Sequence, residues 1–446
     1  MRALRVLVLL SFTLMVVSGA LAAAAVPLDQ RLTSYIARPE PQFKWTKTDQ
    51  AQAGAGSVYK MVMTSQVWRG IPWEHAITVF VPARVEFPDM ALLLVSGGGG
   101  KPRPKISPGD EESQIGGIIS GMIGAPVAVL THVPNEPLFD NLSEDALISY
   151  TYVNYLADGD PTWPLLFPMA KSAVKAMDAV QALLAQETKA KITRFMVTGG
   201  SKRGWTTWLT GASGDPRVKC IAPMVIDTLN MAAQMPHQLA MWGKYSEQID
   251  DYTKRGVQQK MGSPRGQELL AMVDPYSYRA RLTMPKLLIN GANDRYWATD
   301  ALTLYWDGLV GPKSVMYAPN SGHGLEDRGR VVASMVAFFR ANAAGKPFPT
   351  PTWKHGEAGD QLTLRMASTP APSGGRIWMA PSASKDFRES KWVSVPMRLE
   401  GGALVGEIAK PASGSVALFG EADYTMDGRT FTLSTAPRVF PPVVDK

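Results

Sequence analysis

The stretch Phe195-Met196-Val197-Thr198-Gly199-Gly200-Ser201-Lys202-Arg203-Gly204-Trp205 carries the most readable chemistry in this chain. An apolar run enters a glycine turn, presents a serine and continues into residues that suit a helix. A turn this tight lifts a hydroxyl clear of its sheet, and glycines let neighbouring backbone approach it. Gly199 and Ser201 fit the G-x-S-x-G elbow pattern, but Arg203 stands at the second glycine position and Gly204 comes one place later. A serine hydroxyl becomes a useful nucleophile only when a base takes its proton and an acid orients that base. Asp294 follows the apolar run at 286–289 and a glycine turn, and His323 lies in Pro319-Asn320-Ser321-Gly322-His323-Gly324. Serine, acid and histidine thus occur in the chain order that an elbow serine requires. Asp227 also ends an apolar run and is a second candidate for the acid. His75, His132, His237 and His355 read as structural or substrate-facing.

A nucleophile of this kind also needs donors for the negative charge that develops on the attacked oxygen. The amide of Lys202, directly after Ser201, is one candidate. The run Ser96-Gly97-Gly98-Gly99-Gly100-Lys101 supplies others, with Gly97 and Gly98 offering backbone N–H groups free of side chains. A phosphate-binding loop is excluded there, because Val95 stands where glycine is needed and Pro102 where serine or threonine is needed. Arg203 and Trp205 are candidate substrate contacts. With Lys202, Arg203 forms a cationic element that could hold a substrate carboxylate or be spent on an internal ion pair. Neither H-E-x-x-H nor a Cys/His ligand spacing occurs, so no metal and no cofactor is expected.

These residues need a sheet to position them. Apolar runs at 59–67, 76–81, 91–95 and 125–133 read as strands, the last buried on both faces. Residues 143–156 and 164–187 carry helical spacing, the second with Ala173, Met177, Val180, Leu183 and Leu184 on one side. Strands and helices then alternate: 194–198, a helix from 202, 218–226, 286–289, 315–317 and a helix over 328–342. An antiparallel start followed by βα units predicts an α/β fold of the α/β-hydrolase type over 26–345. Residues 228–285 interrupt the alternation and predict a helical cap in which Met235, Met241, Trp242 and Tyr245 enclose an apolar part of the substrate. After a proline-rich linker from 347, short runs between glycines and prolines predict a small β-sandwich over 352–446.

Composition narrows the setting. Of 446 residues, 45% are hydrophobic and 19% charged, which suits a globular chain and excludes a disordered one. Arg2 and Arg5, the apolar run 6–17 and the small residues up to 25 predict a signal peptide over 1–25, too short an apolar run for a membrane span. The chain is therefore expected to be periplasmic or secreted, without stable membrane insertion. The net charge of +7 is scattered, with no basic block, so nucleic acid is not expected as a partner. A small molecule or peptide substrate is. The single cysteine, Cys220, cannot make an internal disulfide and reads as buried and inert.

Thr198-Gly-Gly-Ser-Lys-Arg-Gly-Trp-Thr-Thr-Trp208, Asp215-Pro-Arg-Val218 and Ala222-Pro-Met-Val-Ile-Asp227 resemble the PhoPQ-activated pathogenicity-related protein family, as do Trp68, Trp73-Glu74-His75 and Val133-Pro-Asn-Glu-Pro-Leu138. The resemblance implies an exported α/β-hydrolase-like protein. The Ser-x-Arg-Gly ending also resembles glucuronoyl esterases and, more loosely, prolyl-oligopeptidase-type hydrolases, whose Ser-Asp/Glu-His chemistry would fall on Ser201, Asp294 and His323. The expectation is a serine hydrolase cleaving an ester or amide. The competing one is a secreted binding or signalling protein that keeps the fold without turnover.

Overall fold

The computed structural model describes residues 26–107 and 111–442; the expected signal peptide lies outside them. The chain enters through α1 (Arg31–Ala37) and the antiparallel strands β1 (Lys44–Ala53), β2 (Gly56–Trp68) and β3 (Ile71–Val81). β1 precedes the first apolar run that the sequence shows, at 59–67. It is an edge strand, so its lysines, threonines and glutamines face water and leave no apolar run to read.

The period then changes. β4 (Met90–Val95), α2 (Glu111–Ile123), β5 (Val127–Leu130), α3 (Glu144–Asp158) and α4 (Leu166–Glu187) lead to β6 (Arg194–Gly200) and α5 (Lys202–Ala212). β7 (Val218–Met224) follows. β5 inserts between β3 and β4, and the strands from β5 through β4, β6 and β7 are mutually parallel. Leu92, Leu93, Val127, Met196 and Val197 are essentially unexposed, which is why these strands read as unbroken apolar runs. The spacing predicted for α4 holds: Ala173, Met177, Val180, Leu183 and Leu184 are all buried against the sheet.

Between β7 and the next strand the cap forms as α6 (Met231–Trp242), α7 (Asp250–Thr253), α8 (Val257–Lys260) and α9 (Pro264–Val273). Asp274 ties its two ends together by accepting the amides of Asn230 at 3.2 Å and Met231 at 2.8 Å. The sheet resumes with β8 (Lys286–Gly291), parallel to β7, and β9 (Lys313–Ala318), parallel to β8, and α10 (Arg328–Ala343) covers it.

The remaining strands are β10 (Thr352–Ala358), β11 (Gln361–Ala367), β12 (Gly374–Ser382), β13 (Val393–Pro396), β14 (Arg398–Glu400), β15 (Ala403–Ala409), β16 (Ser415–Met426), β17 (Arg429–Ser434) and β18 (Arg438–Phe440). They make two layers, as expected of a sandwich, with Leu362, Leu364, Met366, Ile377 and Leu418 in one shared core. One layer is not separate from the first sheet, however. β17 pairs antiparallel with β9 at Val315 and Ser434, so β17, β16, β12 and β13, with β18 paired to β16, prolong it to 14 strands among the described residues. The expected linker is likewise packed: Phe348 stacks on Phe431 with ring centroids 5.3 Å apart, and Ser314 donates to the Pro349 carbonyl. Among the described residues no helix is long and apolar enough to cross a membrane.

Candidate active site

Ser201 sits between β6 and α5 with φ of 55° and ψ of −124°, a conformation an L-residue adopts only when its surroundings force it. What forces it is close packing. A Cβ on Gly199 would lie 2.8 Å from the carbonyl oxygens of Arg203 and Val95, and one on Gly204 would lie 2.6 Å from the Met224 carbonyl. The second elbow glycine is therefore Gly204, and the one-place displacement seen in the sequence leaves room for Arg203 to point elsewhere. As first residue of α5, Lys202 has an amide with no intrahelical acceptor.

β8 and β9 deliver the other two groups. Asp294 is nearly buried; one carboxylate oxygen accepts the Tyr296 amide at 2.8 Å and the other the His323 Nδ1–H at 2.8 Å. With Nδ1 donating, a neutral ring carries its lone pair on Nε2. That nitrogen is buried and has no hydrogen-bond partner among the described residues. Ser201 and His323 are not hydrogen-bonded to each other, but both line one cavity of about 440 Å³ beneath the cap. The Tyr296 ring lies against the imidazole, centroids 4.2 Å apart.

Asp227 is excluded as partner of His323. Its carboxyl accepts the Tyr305 hydroxyl at 2.5 Å and the Tyr317 hydroxyl at 2.6 Å, in a buried position. Burial, with Asp294 adding repulsion, pushes its pKa up to about 7.

Arg203 does not face substrate. Its guanidinium grips Glu144 through two hydrogen bonds of 2.8 Å, reaches Glu136 at 3.5 Å and donates to the Val133 carbonyl. A planar fork satisfied on both edges inside the protein has nothing left for a ligand. Lys202 does line the cavity, but its ammonium is 2.7 Å from Asp145 and 3.2 Å from Glu144. Burial alone would lower the Lys202 pKa; the two carboxylates more than offset this and raise it. Of the two fates open to this cationic element, the internal ion pair is the one found: both cations are already paired with carboxylates. Burial and the neighbouring Glu144 carboxylate raise the Glu136 pKa.

Trp205 lines the cavity as expected, its indole N–H donating to the Val273 carbonyl. Gly97 and Gly98 follow β4, beside the elbow, and are not among the lining residues. The Arg203 guanidinium lies so close to Gly97 that a Cβ there would be 2.5 Å from it. In the cap, Met235 and Tyr245 line the cavity, whereas Met241 and Trp242 do not. Met241 is buried in the core and Trp242 carries the Arg388 guanidinium on its face at 4.3 Å.

The sequence reading missed the cavity residues Asp145, Tyr152, Tyr252 and Tyr296. Only Tyr296 had a usable signal, two places after Asp294. Of the other histidines, His75 is wholly buried between the Ser65 and Ser172 hydroxyls, and burial lowers its pKa to about 3. His237 pairs with Asp300 at 2.6 Å. Cys220 is buried, and burial pushes its thiol pKa up.

A mostly parallel sheet in which the Ser201 elbow follows β6, Asp294 follows β8 and His323 follows β9 defines an α/β-hydrolase-type protein. The sequence profile of the PhoPQ-activated pathogenicity-related protein family matches residues 32–388, and the chain belongs to that family. It is 31% identical over 436 residues to autocrine proliferation repressor protein A of Dictyostelium discoideum, covering 90% of this chain and 86% of that one. Among solved structures it is similar to acetyl xylan esterase 1 from Thermoanaerobacterium sp. JW/SL YS485, with a TM-score of 0.48, 13% identity, and coverage of 70% of this chain and 93% of that one. An S-formylglutathione hydrolase from Agrobacterium tumefaciens gives 0.43, 13%, 67% and 99%.

Proposed function

We propose that this protein is an exported serine hydrolase that cleaves an ester or amide. The observation that carries the reading is the Asp294–His323 pair, whose Nε2 has no partner among the described residues and shares a cavity with the strained Ser201. His323 Nε2 takes the Ser201 hydroxyl proton as Oγ bonds to the substrate carbonyl carbon. It then returns that proton to the leaving alcohol or amine as the old bond breaks. Water repeats the sequence on the acyl-serine and releases the acid. The Lys202 amide stabilises the oxyanion, joined by Gly97 or Gly98. Arg203 acts on neither substrate nor oxyanion; it braces the loop that carries these glycines.

A fluorophosphonate probe should label the purified protein, and Ser201→Ala should abolish the label. Native protein that stays unlabelled overturns the reading. It would favour a signalling protein without turnover, to which the name of the Dictyostelium relative lends support. Export predicts that protein recovered from outside the cytoplasm begins within a few residues of Ala25. An intact Met1 on that fraction contradicts a cleaved leader.

A further inference from the structure

The cavity over Ser201 is far larger than an acetyl group needs, and its volume of about 440 Å³ falls among sites that enclose whole small molecules. Met231, Met235, Leu239, Ile249, Met261 and Leu270 give it an apolar wall from the cap. Apart from His323 and its tyrosines, the titratable side chains on its lining are Asp145 and Lys202, and these are paired. The Tyr252 hydroxyl donates to Asp145 as well, at 2.9 Å. A charged substrate would lose its hydration here and find no free counter-charge.

Besides His323 Nε2, three buried polar groups on this lining lack a hydrogen-bond partner among the described residues: the Gln258 side-chain oxygen, the Trp297 indole N–H and the Tyr152 hydroxyl. Tyr152 is 2% exposed, and its hydroxyl has no hydrogen-bond partner among the described residues. The ring meets Trp205 edge-on at 6.5 Å, beside the elbow helix. Burial raises the phenol pKa, so the group stays neutral and able to donate. A buried donor left unpaired is unfavourable, and a ligand acceptor would relieve it.

Resting on the hydrolase reading of this site, we infer that the substrate is uncharged, that its extended apolar arm fills the space under the cap, and that Tyr152 donates a hydrogen bond to an acceptor on that arm. The inference can be tested without turnover by using Ser201→Ala and following the fluorescence of Trp205 and Trp297, both on the cavity lining. Octanamide should bind at least about 10²-fold more tightly than acetamide, because each buried methylene adds severalfold. Suberamate, of the same length with a terminal carboxylate, should bind about tenfold or more below octanamide.

In a series of mono-oxo octanamides, at least one ketone position should gain about fivefold over octanamide. Tyr152→Phe should remove that gain while leaving octanamide binding unchanged, which also shows that the variant folds. Acetamide or suberamate binding as tightly as octanamide overturns the apolar, uncharged assignment. No gain at any ketone position, or a gain that survives Tyr152→Phe, overturns the role of Tyr152. Failure of the fluorophosphonate label would instead sink the hydrolase reading, since these affinities do not depend on catalysis.

Discussion

Asp227 and Asp294 stand just beyond the carboxyl ends of neighbouring parallel strands, β7 and β8, and the sequence offers both as the acid of a triad. Their surroundings differ completely. Asp294 receives an amide and an imidazole N–H, and through the imidazole it reaches the cavity. Asp227 receives two tyrosine hydroxyls and is buried away from His323, its pKa raised to about 7 by burial and by Asp294 itself. Tyrosine hydroxyls stabilise a carboxylate less than a full charge would, so burial wins at Asp227. Position at a strand end makes an acid available; the group that it meets decides whether it orients a base or fills a core.

The sharpest way to break this contrast is to neutralise each acid in turn. Asp294→Asn keeps the shape but favours the wrong imidazole tautomer, and should lower kcat by about 10⁴-fold on any substrate found. Asp227→Asn should change kcat by less than about tenfold, since that side chain touches neither His323 nor the cavity. Steady-state kinetics on the two variants decide the matter. A larger loss at Asp227 reverses the assignment.

The two loops also differ in what holds them. The segment after β12 reaches across to the loops that carry Asp294 and His323. Asn293, beside Asp294, donates to the carbonyls of Phe387, Arg388 and Ser390, and Asn320, shortly before His323, exchanges two hydrogen bonds with the Trp392 backbone. Arg388 continues to Glu247 of the cap at 2.8 Å. The Asp294 loop, the His323 loop and the cap are thus referenced to one stretch of the C-terminal strands. Asn293→Ala and Asn320→Ala should each lower kcat by up to about 10²-fold through misplacement of the acid or the base, with KM little changed. Asp294 and His323 would then be less well registered, so Asn320→Asp, which keeps the acceptor for the Trp392 amide, should recover part of the rate. Unchanged kcat in both alanine variants would mean that the loops hold themselves.

Much of this arrangement was legible in the sequence because it rests on local pattern. A buried parallel strand must be an apolar run, and an elbow must carry its glycines, so β4 to β9, Ser201, Asp294 and His323 could be read directly. β1 could not, because an edge strand is not obliged to be apolar. Nor could the fate of Arg203, whose partners Glu136 and Glu144 lie some 60 to 70 residues away in the chain. The junction of β17 with β9 was hidden for the same reason. It rests on a single pairing across a long stretch of sequence, and a proline-rich connection between two patterned regions looks like a spacer whether or not it is packed.

The smallest expected effect concerns stability, and it separates the two acids without needing a substrate. The Asp227 carboxyl has a folded pKa near 7 against an ordinary value of 3.8. Between these values the folded chain holds a proton that the unfolded chain has released. Stability from this group is therefore fullest at low pH and is lost as pH rises through about 7. From pH 5 to pH 8 the loss is on the order of 2 kcal/mol, taking about 1.4 kcal/mol per pKa unit. Asp227→Asn has no proton to lose, so its stability should fall less than that of the native protein over the same range. Urea unfolding of both proteins at the two pH values measures the difference. Asp294→Asn, run in parallel, should show only a small part of this flattening, because it removes the Asp294 repulsion but leaves burial, the larger cause of the raised Asp227 pKa, in place. Parallel pH curves for native protein and Asp227→Asn would show that Asp227 is ionised throughout, and the contrast between the two acids would then rest on geometry alone.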